Sequence, residues 1–267
     1  MSQHKSMGVR RFGRVNWLGL RTLYLREIQR FLNVVTQTIF APVATSVLFM
    51  VVFSLAFAAR RGEQDGVPFE VFLAPGVMMM AVIQNAFANT MSSLMIAKVQ
   101  GNIVDTLMPP LSATELLIGY AAGGATRGFL CAVALILCVF PFLGILPAHP
   151  FWLLLFILLG SFMMAFAGLL VAIYAEKFDQ TAAITNFVVT PLSFLSGTFY
   201  SITVLPPVFQ AVSYINPFFY LIDGGRYGAL GVSDANPWIG VIFVLAVNAI
   251  LAALCWRWLD SGYRLKS

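Results

Sequence analysis

Residues 98–115, KVQGNIVDTLMPPLSATE, form a short polar island holding Pro109 and Pro110 between long uncharged apolar runs. No charged residue lies between Glu70 and Lys98, and only Arg127 lies between Glu115 and Glu176. Uncharged apolar stretches of 18 or more residues are membrane-span candidates, and about 20 residues cross the hydrocarbon core. The island is therefore a loop between two spans, long enough to hold a short helix lying along the membrane surface. Something outside the bilayer can push on such a helix. The chain has no motor of its own: it contains no GxxxxGK[ST] loop to cradle a phosphate, nor any other nucleotide signature.

Composition fixes the broad class. Hydrophobic residues make up 60% of the 267 and charged residues only 10%, against roughly 25% charged in an ordinary soluble domain. That much apolar surface cannot be hidden inside a protein of this size, so lipid covers part of it. Six runs qualify as spans, at 35–58, 72–97, 116–140, 151–175, 181–200 and 237–256. Lipid offers no hydrogen bonds, so each span is expected to be a helix. The expectation is an all-α membrane protein with one membrane domain over 34–267, preceded by a basic cytoplasmic segment over 1–33.

Orientation follows from Lys and Arg. Lys5, Arg10, Arg11, Arg14, Arg21, Arg26 and Arg30 precede the first span, and Arg257, Arg264 and Lys266 close the chain. Even-numbered loops add Lys98 and Lys177, while odd-numbered loops hold Arg60, Arg61 and Arg226. Positive charge marks the cytoplasmic side, which places both termini inside. The net charge of +5 is then a matter of topology and anionic lipid headgroups. No basic domain exists to carry a nucleic-acid reading.

Residues 15–33 have helical hydrophobicity rather than the uniform core of a cleavable signal. On a helical wheel Trp17, Leu20, Tyr24, Ile28 and Phe31 share one face, and Thr22, Arg26, Gln29 and Arg30 the other. This is the pattern of an interfacial helix with its basic side toward headgroups, either a plain membrane anchor or an elbow that also touches a partner.

Cys131, Cys138 and Cys255 all fall inside spans with no CxxC pair, and His4 and His149 are isolated, so neither a metal site nor a redox centre is expected. No HExxH, GxSxG or paired-carboxylate constellation occurs, which disfavours enzyme chemistry in this chain. Polar residues inside spans are more informative because lipid makes them costly. Asn85, Asn89 and Ser92 share one face of the second span. Arg127 lies twelve residues beyond Glu115, about 18 Å by helical rise, a depth comparable to that of the two asparagines. The stripe is expected to face Arg127 or the same aqueous cavity. Two roles stand for these side chains: interhelical hydrogen bonding, worth about 0.6 kcal/mol per contact, or lining a pathway. Gly119, Gly123, Gly124 and Gly128 give overlapping GxxxG spacings, a face for close packing against another helix.

After the fifth span the chain stays apolar and aromatic yet is broken by Gly197, Pro206, Pro207, Pro217, Gly224 and Gly225. An intact helix cannot cross those breaks. Short helices that dip into the outer leaflet and return fit the pattern, as a lid on the bundle or as an outer gate.

The stretches LAPGVMMMAVIQNAFANTMSS, KVQGNIVDTLMPPLSATELLIGYAAGGATRG, NFVVTPLSFLSGTFYSITVLPP and INPFFYLIDGGRYG carry a resemblance that covers essentially the whole chain. It resembles the membrane permease subunit of ABC transporters of the second exporter type, a family of bacterial inner-membrane permeases that includes polysaccharide, lipo-oligosaccharide and drug-efflux members. The resemblance implies a six-span fold with an N-terminal elbow helix, a cytoplasmic coupling helix between spans 2 and 3, and outer re-entrant helices between spans 5 and 6. It also implies two permease copies above two copies of a separate cytoplasmic ATPase, which would bind the ATP and Mg; no cofactor is expected in this chain. Gly101, Asn102, Ile103, Val104, Asp105 and Leu107 match the coupling helix that seats in the ATPase. Gly197, Phe199, Tyr200, Pro206, Pro207, Asn216 and Pro217 match the re-entrant segment that closes the exit. The cargo is expected to be amphipathic or lipid-linked, because the spans lack the charges of a small-ion pathway. The rival is an ATP-independent secondary transporter or channel, which usually leaves Asp, Glu or His inside spans; here the span interiors hold none.

Overall fold

A computed structural model describes residues 15–57, 63–64 and 66–265. Lys5, Arg10, Arg11, Arg14, Arg60, Arg61 and Lys266, which carry part of the expected charge asymmetry, lie outside the described residues. The described chain is helical apart from one short hairpin, β1 (Glu63–Gln64) and β2 (Val67–Pro68). Its helices are α1 (Trp17–Leu32), α2 (Ala41–Phe57), α3 (Phe69–Val99), α4 (Ile103–Leu107), α5 (Ala113–Leu143), α6 (Pro150–Tyr174), α7 (Phe178–Ile184), α8 (Thr190–Phe194), α9 (Pro207–Ile215), α10 (Pro217–Leu230) and α11 (Pro237–Ser261). One π turn, Thr36–Phe40, leads into α2, and another, Thr185–Val189, joins α7 to α8.

Among the described residues, five helical segments are long and apolar enough to cross a membrane: Thr36–Ala56, Phe69–Val99, Ala113–Leu143, Pro150–Tyr174 and Pro237–Ser261. The expected span at 181–200 is a rod over 178–194, about 25 Å long by helical rise and so short of a hydrocarbon core about 30 Å thick. It stops where Ser196 and Thr198 turn their hydroxyls back onto the carbonyls of Leu192 and Ser193. Downstream, proline starts helices as well as breaking them: Pro207 and Pro217 open α9 and α10, positions where the missing N–H is harmless and the fixed φ helps.

Helix α3 is the axis of the bundle. Its most apolar window is 83% buried, against 11% for that of Thr36–Ala56, so α2 stands at the margin with its outer side uncovered. The expected glycine face does pack. A Cβ on Gly123 would sit 2.5 Å from that of Glu27 on α1, and one on Gly128 would sit 2.7 Å from the Ser161 hydroxyl on α6. Small residues let these backbones approach where a larger side chain would hold them apart.

The two ends of the bundle are tied differently. At the α4 end, Arg264 after α11 donates to the Tyr174 carbonyl at the foot of α6, and the Asn16 N–H ahead of α1 donates to Glu115 on α5. The first and last described residues therefore share one end. At the opposite end Ala148 and His149, just before α6, donate to Ala229 and Gly228 at the close of α10.

Helix α1 buries Leu23, Glu27 and Phe31 and leaves Trp17 and Leu18 exposed. Arg26 and Arg30 keep part of their surface exposed while donating to groups on α3, α4 and α5. Glu27 is fully buried, with Arg26 at 3.3 Å and Arg30 at 3.5 Å.

Candidate functional site

The polar island folds as a small braced platform. Gly101 takes a left-handed φ of 74°, open to glycine at no steric cost, and Asn102 leads into α4. Ile103 and Thr106 face inward, Leu107 is half-buried, and Gly101, Asn102, Val104, Asp105 and Met108 face out. Ile103 thus belongs to the buried cluster that holds Leu94, Leu116 and Tyr120. Thr106 accepts from Arg26 Nη1 at 3.0 Å, so α1 grips α4. Beyond α4, Ser112 and Glu115 form a capping box that starts α5, satisfying two donors a helix end otherwise leaves free. A cleft of about 290 Å³ between α1 and α4 is lined by Leu18, Thr22, Asp105, Thr106, Pro109 and Leu111, among others.

The asparagine stripe is shared between two arginines. Arg127 Nη2 donates to Asn85 Oδ1 at 2.9 Å. Arg30 reaches past it to the carbonyl of Asn89 (2.7 Å), the Asn89 Oδ1 (2.9 Å) and Ser92 Oγ (3.1 Å). Ser93 Oγ donates to Glu27 Oε1 at 2.8 Å. Glu27 and Arg30 are the members of this network that sequence reasoning missed. Their signal was present as the one carboxylate of an amphipathic helix, flanked by Arg26 and Arg30.

Asn85 also lines a groove of about 430 Å³ between α2, α3 and the 178–194 rod. Gln37, Thr45, Ser46, Gln84, Thr185 and Thr190 give it amides and hydroxyls, and Phe49, Met80, Met91 and Val189 an apolar floor. Among the described residues, no Asp, Glu, Lys or Arg lines it. Such a surface suits an uncharged amphipathic molecule better than an ion.

At the opposite end lie the residues of the expected re-entrant segment. Gly197 has a left-handed φ of 76°, and its carbonyl accepts from Arg226 Nη2 at 2.6 Å. Arg226, expected in a loop, is almost fully buried on α10, 3.8 Å from the centre of the Phe72 ring and 3.9 Å from Asp223. Asp223 accepts from the backbone of Asp234 and Ala235 and from Ser233. Phe199 stacks between Phe53 and Phe194, and Tyr200 beside it is half-buried. Asn216 caps α10 and donates to Ser196 Oγ at 2.8 Å, with Pro217 following as the first residue of α10. Pro206 and Pro207 are exposed at the start of α9, which shows Val208, Val212 and Ile215 to its surroundings.

Among the described residues no group of three or more His, Cys, Asp or Glu side chains is arranged to hold a metal ion. Residues 19–230 match the ABC-2 type transporter family. The chain is 36% identical over 253 residues to the inner membrane transport permease YadH of Escherichia coli, covering 94% of this chain and 98% of that one. It is 26% identical over 250 residues to nodulation protein J of Rhizobium leguminosarum bv. viciae, covering 90% and 93%.

Proposed function

The chain belongs to the ABC-2 type transporter family, and from that premise we propose that it is the cargo-carrying half of an ATP-driven exporter worked by a separate cytoplasmic ATPase. Permease subunits of this kind are multi-pass inner-membrane proteins and not themselves enzymes. In the proposed assembly two copies pair above two ATPases, which hold the ATP and Mg. The rod over 178–194 serves as the fifth of six crossings, completed by the lid that follows it. Helix α1 is the elbow, with 1–33 as the cytoplasmic segment ahead of the 34–267 permease domain, and both termini are cytoplasmic.

The observation that carries this reading is the bracing of α4. A five-residue helix has little stability of its own. Here Ile103 is sunk in the bundle, Thr106 is held by Arg26, and the capping box fixes the chain just beyond. The remaining outward face of Val104, Asp105 and Met108 can be displaced only together with α1, α3 and α5. A force applied there reaches the bundle as rigid-body motion. ATP drives the cycle by favouring one arrangement, since a ligand with equal affinity for both shifts nothing.

The cargo is an amphipathic molecule, such as a lipid- or saccharide-type compound, accepted by the uncharged groove beside α2. Buried Glu27 gives no support to ion coupling without ATP, because Arg26 and Arg30 already neutralise it. Purification from the native membrane tests the assignment: a soluble ATPase with a phosphate-cradling loop is expected to accompany the permease at one to one. Recovery of an active transporter without any ATPase would refute it.

A further inference from the structure

Residues 36–42, TQTIFAP, and residues 185–191, TNFVVTP, follow one pattern: Thr, Gln or Asn, three further residues, Ala or Thr, then Pro. Each pattern folds the same way. The first five residues make a π turn, closed by the N–H of the sixth onto the carbonyl of the first: Ala41 to Thr36, and Thr190 to Thr185. Proline favours this turn without dictating it, since Pro75 and Pro141 lie inside α3 and α5 with no π turn. It brings no N–H, and its ring collides with the carbonyl four residues back, that of Thr38 or Phe187. A turn widened by one residue relieves the collision while the helix continues.

The two turns also stand on facing walls of one groove. Gln37, Ala41 and Pro42 line one wall, and Thr185, Val189 and Thr190 the other. Each follows a segment tied to the α4 end. Helix α1, which Arg26 joins to α4, runs into the first turn. The foot of α6, held by Lys98, leads through α7 into the second.

We propose that Pro42 and Pro191 are positioning residues of the transport cycle, each holding a π turn that converts toward α-helix to turn one wall of the groove. This rests on the groove being part of the transport pathway. Removing the extra residue from a turn re-registers the helix by about 100° and about 1.5 Å. That is enough to carry Gln37 or Thr185 off the groove surface. Conversion between π turn and α-helix would give the element the two discrete arrangements that a switch requires.

The test uses Pro42→Ala, Pro191→Ala and the double variant in the permease–ATPase complex, with Cys138→Ser to remove the exposed native thiol. Spin labels at Thr45→Cys and Leu192→Cys report the width of the groove without nucleotide and after trapping with ATP and vanadate. The wild type is expected to change width by several ångströms, and the double variant to stay at one width while melting at the same or a higher temperature. A purely structural role would move the melting temperature and leave the width change intact. An unchanged width in the wild type, or a full change in the double variant, overturns the proposal. Amide exchange at Ala41 and Thr190 decides the matter on the permease alone: it is expected to be fast in the wild type and at least tenfold slower in the alanine variants. Equal exchange overturns the hinge whether or not an ATPase accompanies the protein, whereas loss of the ATPase alone counts only against the exporter assignment.

Discussion

The ammonium of Lys98 lies 2.6 Å from the carbonyl oxygen of Ala175, and it also donates to those of Ile173 (2.8 Å) and Ala172 (3.1 Å). Helix C-termini leave carbonyls without backbone partners, and a cation there is doubly favoured by hydrogen bonding and by the helix dipole. One side chain at the end of α3 thus anchors the foot of α6. The strand of chain that leads to α4 and the one that leads to α7 cannot move independently while it holds.

Replacing Lys98 with Met keeps the apolar stem and removes the three donors. The expected loss is about 2 kcal/mol, in the range for hydrogen bonds from a charged group, read as a lower melting temperature in detergent. Nucleotide hydrolysis by the complex should persist while transport falls, because the platform and α6 are uncoupled. A variant with wild-type transport would show that the contact does not transmit motion.

The outward and inward faces of α4 should separate cleanly under mutation. Val104→Asp with Met108→Asp places two charges on the exposed face, so the protein should insert and fold normally yet lose the ATPase on purification. A few well-packed residues typically carry most of an interface's energy, at about 2 kcal/mol or more each. Ile103→Asp should instead destabilise the permease itself by about 3 kcal/mol, since it buries an unpaired charge. An ATPase still bound at full stoichiometry to the outward double variant would mean that the partner docks elsewhere.

Arg127 and Asn85 form a coupled buried pair. Arg127→Leu leaves the Asn85 oxygen without its donor, a cost of about 1–3 kcal/mol. The double change Arg127→Leu with Asn85→Leu is expected to cost less than the two single changes together, by about 1 kcal/mol. Thermal melts of the four proteins give the coupling. Additive effects would show that the bond contributes nothing, and cargo-stimulated hydrolysis at the wild-type level in Arg127→Leu would exclude the residue from the pathway.

Single cysteines in a background lacking the native thiols address orientation. One at Gln64, in the hairpin ahead of α3, should react with an impermeant reagent from the periplasmic side only. Those at Arg10 and Lys266, positions outside the described residues, should react from the cytoplasmic side only. Reaction of Gln64 and Arg10 from the same side would break the six-crossing arrangement.

Much of the helical layout was legible because charge is so scarce: the run from Glu70 to Lys98 could only be one long apolar helix, and α3 is that helix. The proline-rich stretch was readable for the same reason, as local backbone chemistry. What escaped were pairings between distant segments. Glu27 meets Ser93 66 residues away and Arg30 meets Asn89 59 away, so the roll of α1 depends on partners that a helical wheel does not contain. Arg226 looked like a loop charge because Gly224 and Gly225 precede it. Yet those glycines bring α10 against Phe156 and Met79 and so carry the arginine inward. The fifth span was overestimated because hydropathy runs on smoothly past residue 195, whereas the helix ends on hydroxyl-to-carbonyl bonds that no hydropathy scale registers. The paired TQTIFAP and TNFVVTP stretches were in plain view. Their shared geometry takes more than the proline, because Pro75 and Pro141 sit in continuous α-helix.

The Glu115 carboxylate that receives the Asn16 N–H is 99 residues further along the chain, and this separation has a bearing on biogenesis. Helix α1 is made first but has nowhere to settle until the ribosome has delivered α3 and the start of α5. Until then Glu27 lacks Ser93 and the Asn16 amide lacks its acceptor. Emergence of the start of the third apolar segment is thus the moment at which the nascent chain can close on itself. Quality-control proteases that patrol the inner membrane would meet an undocked N-terminal helix in any product that stops short of Glu115.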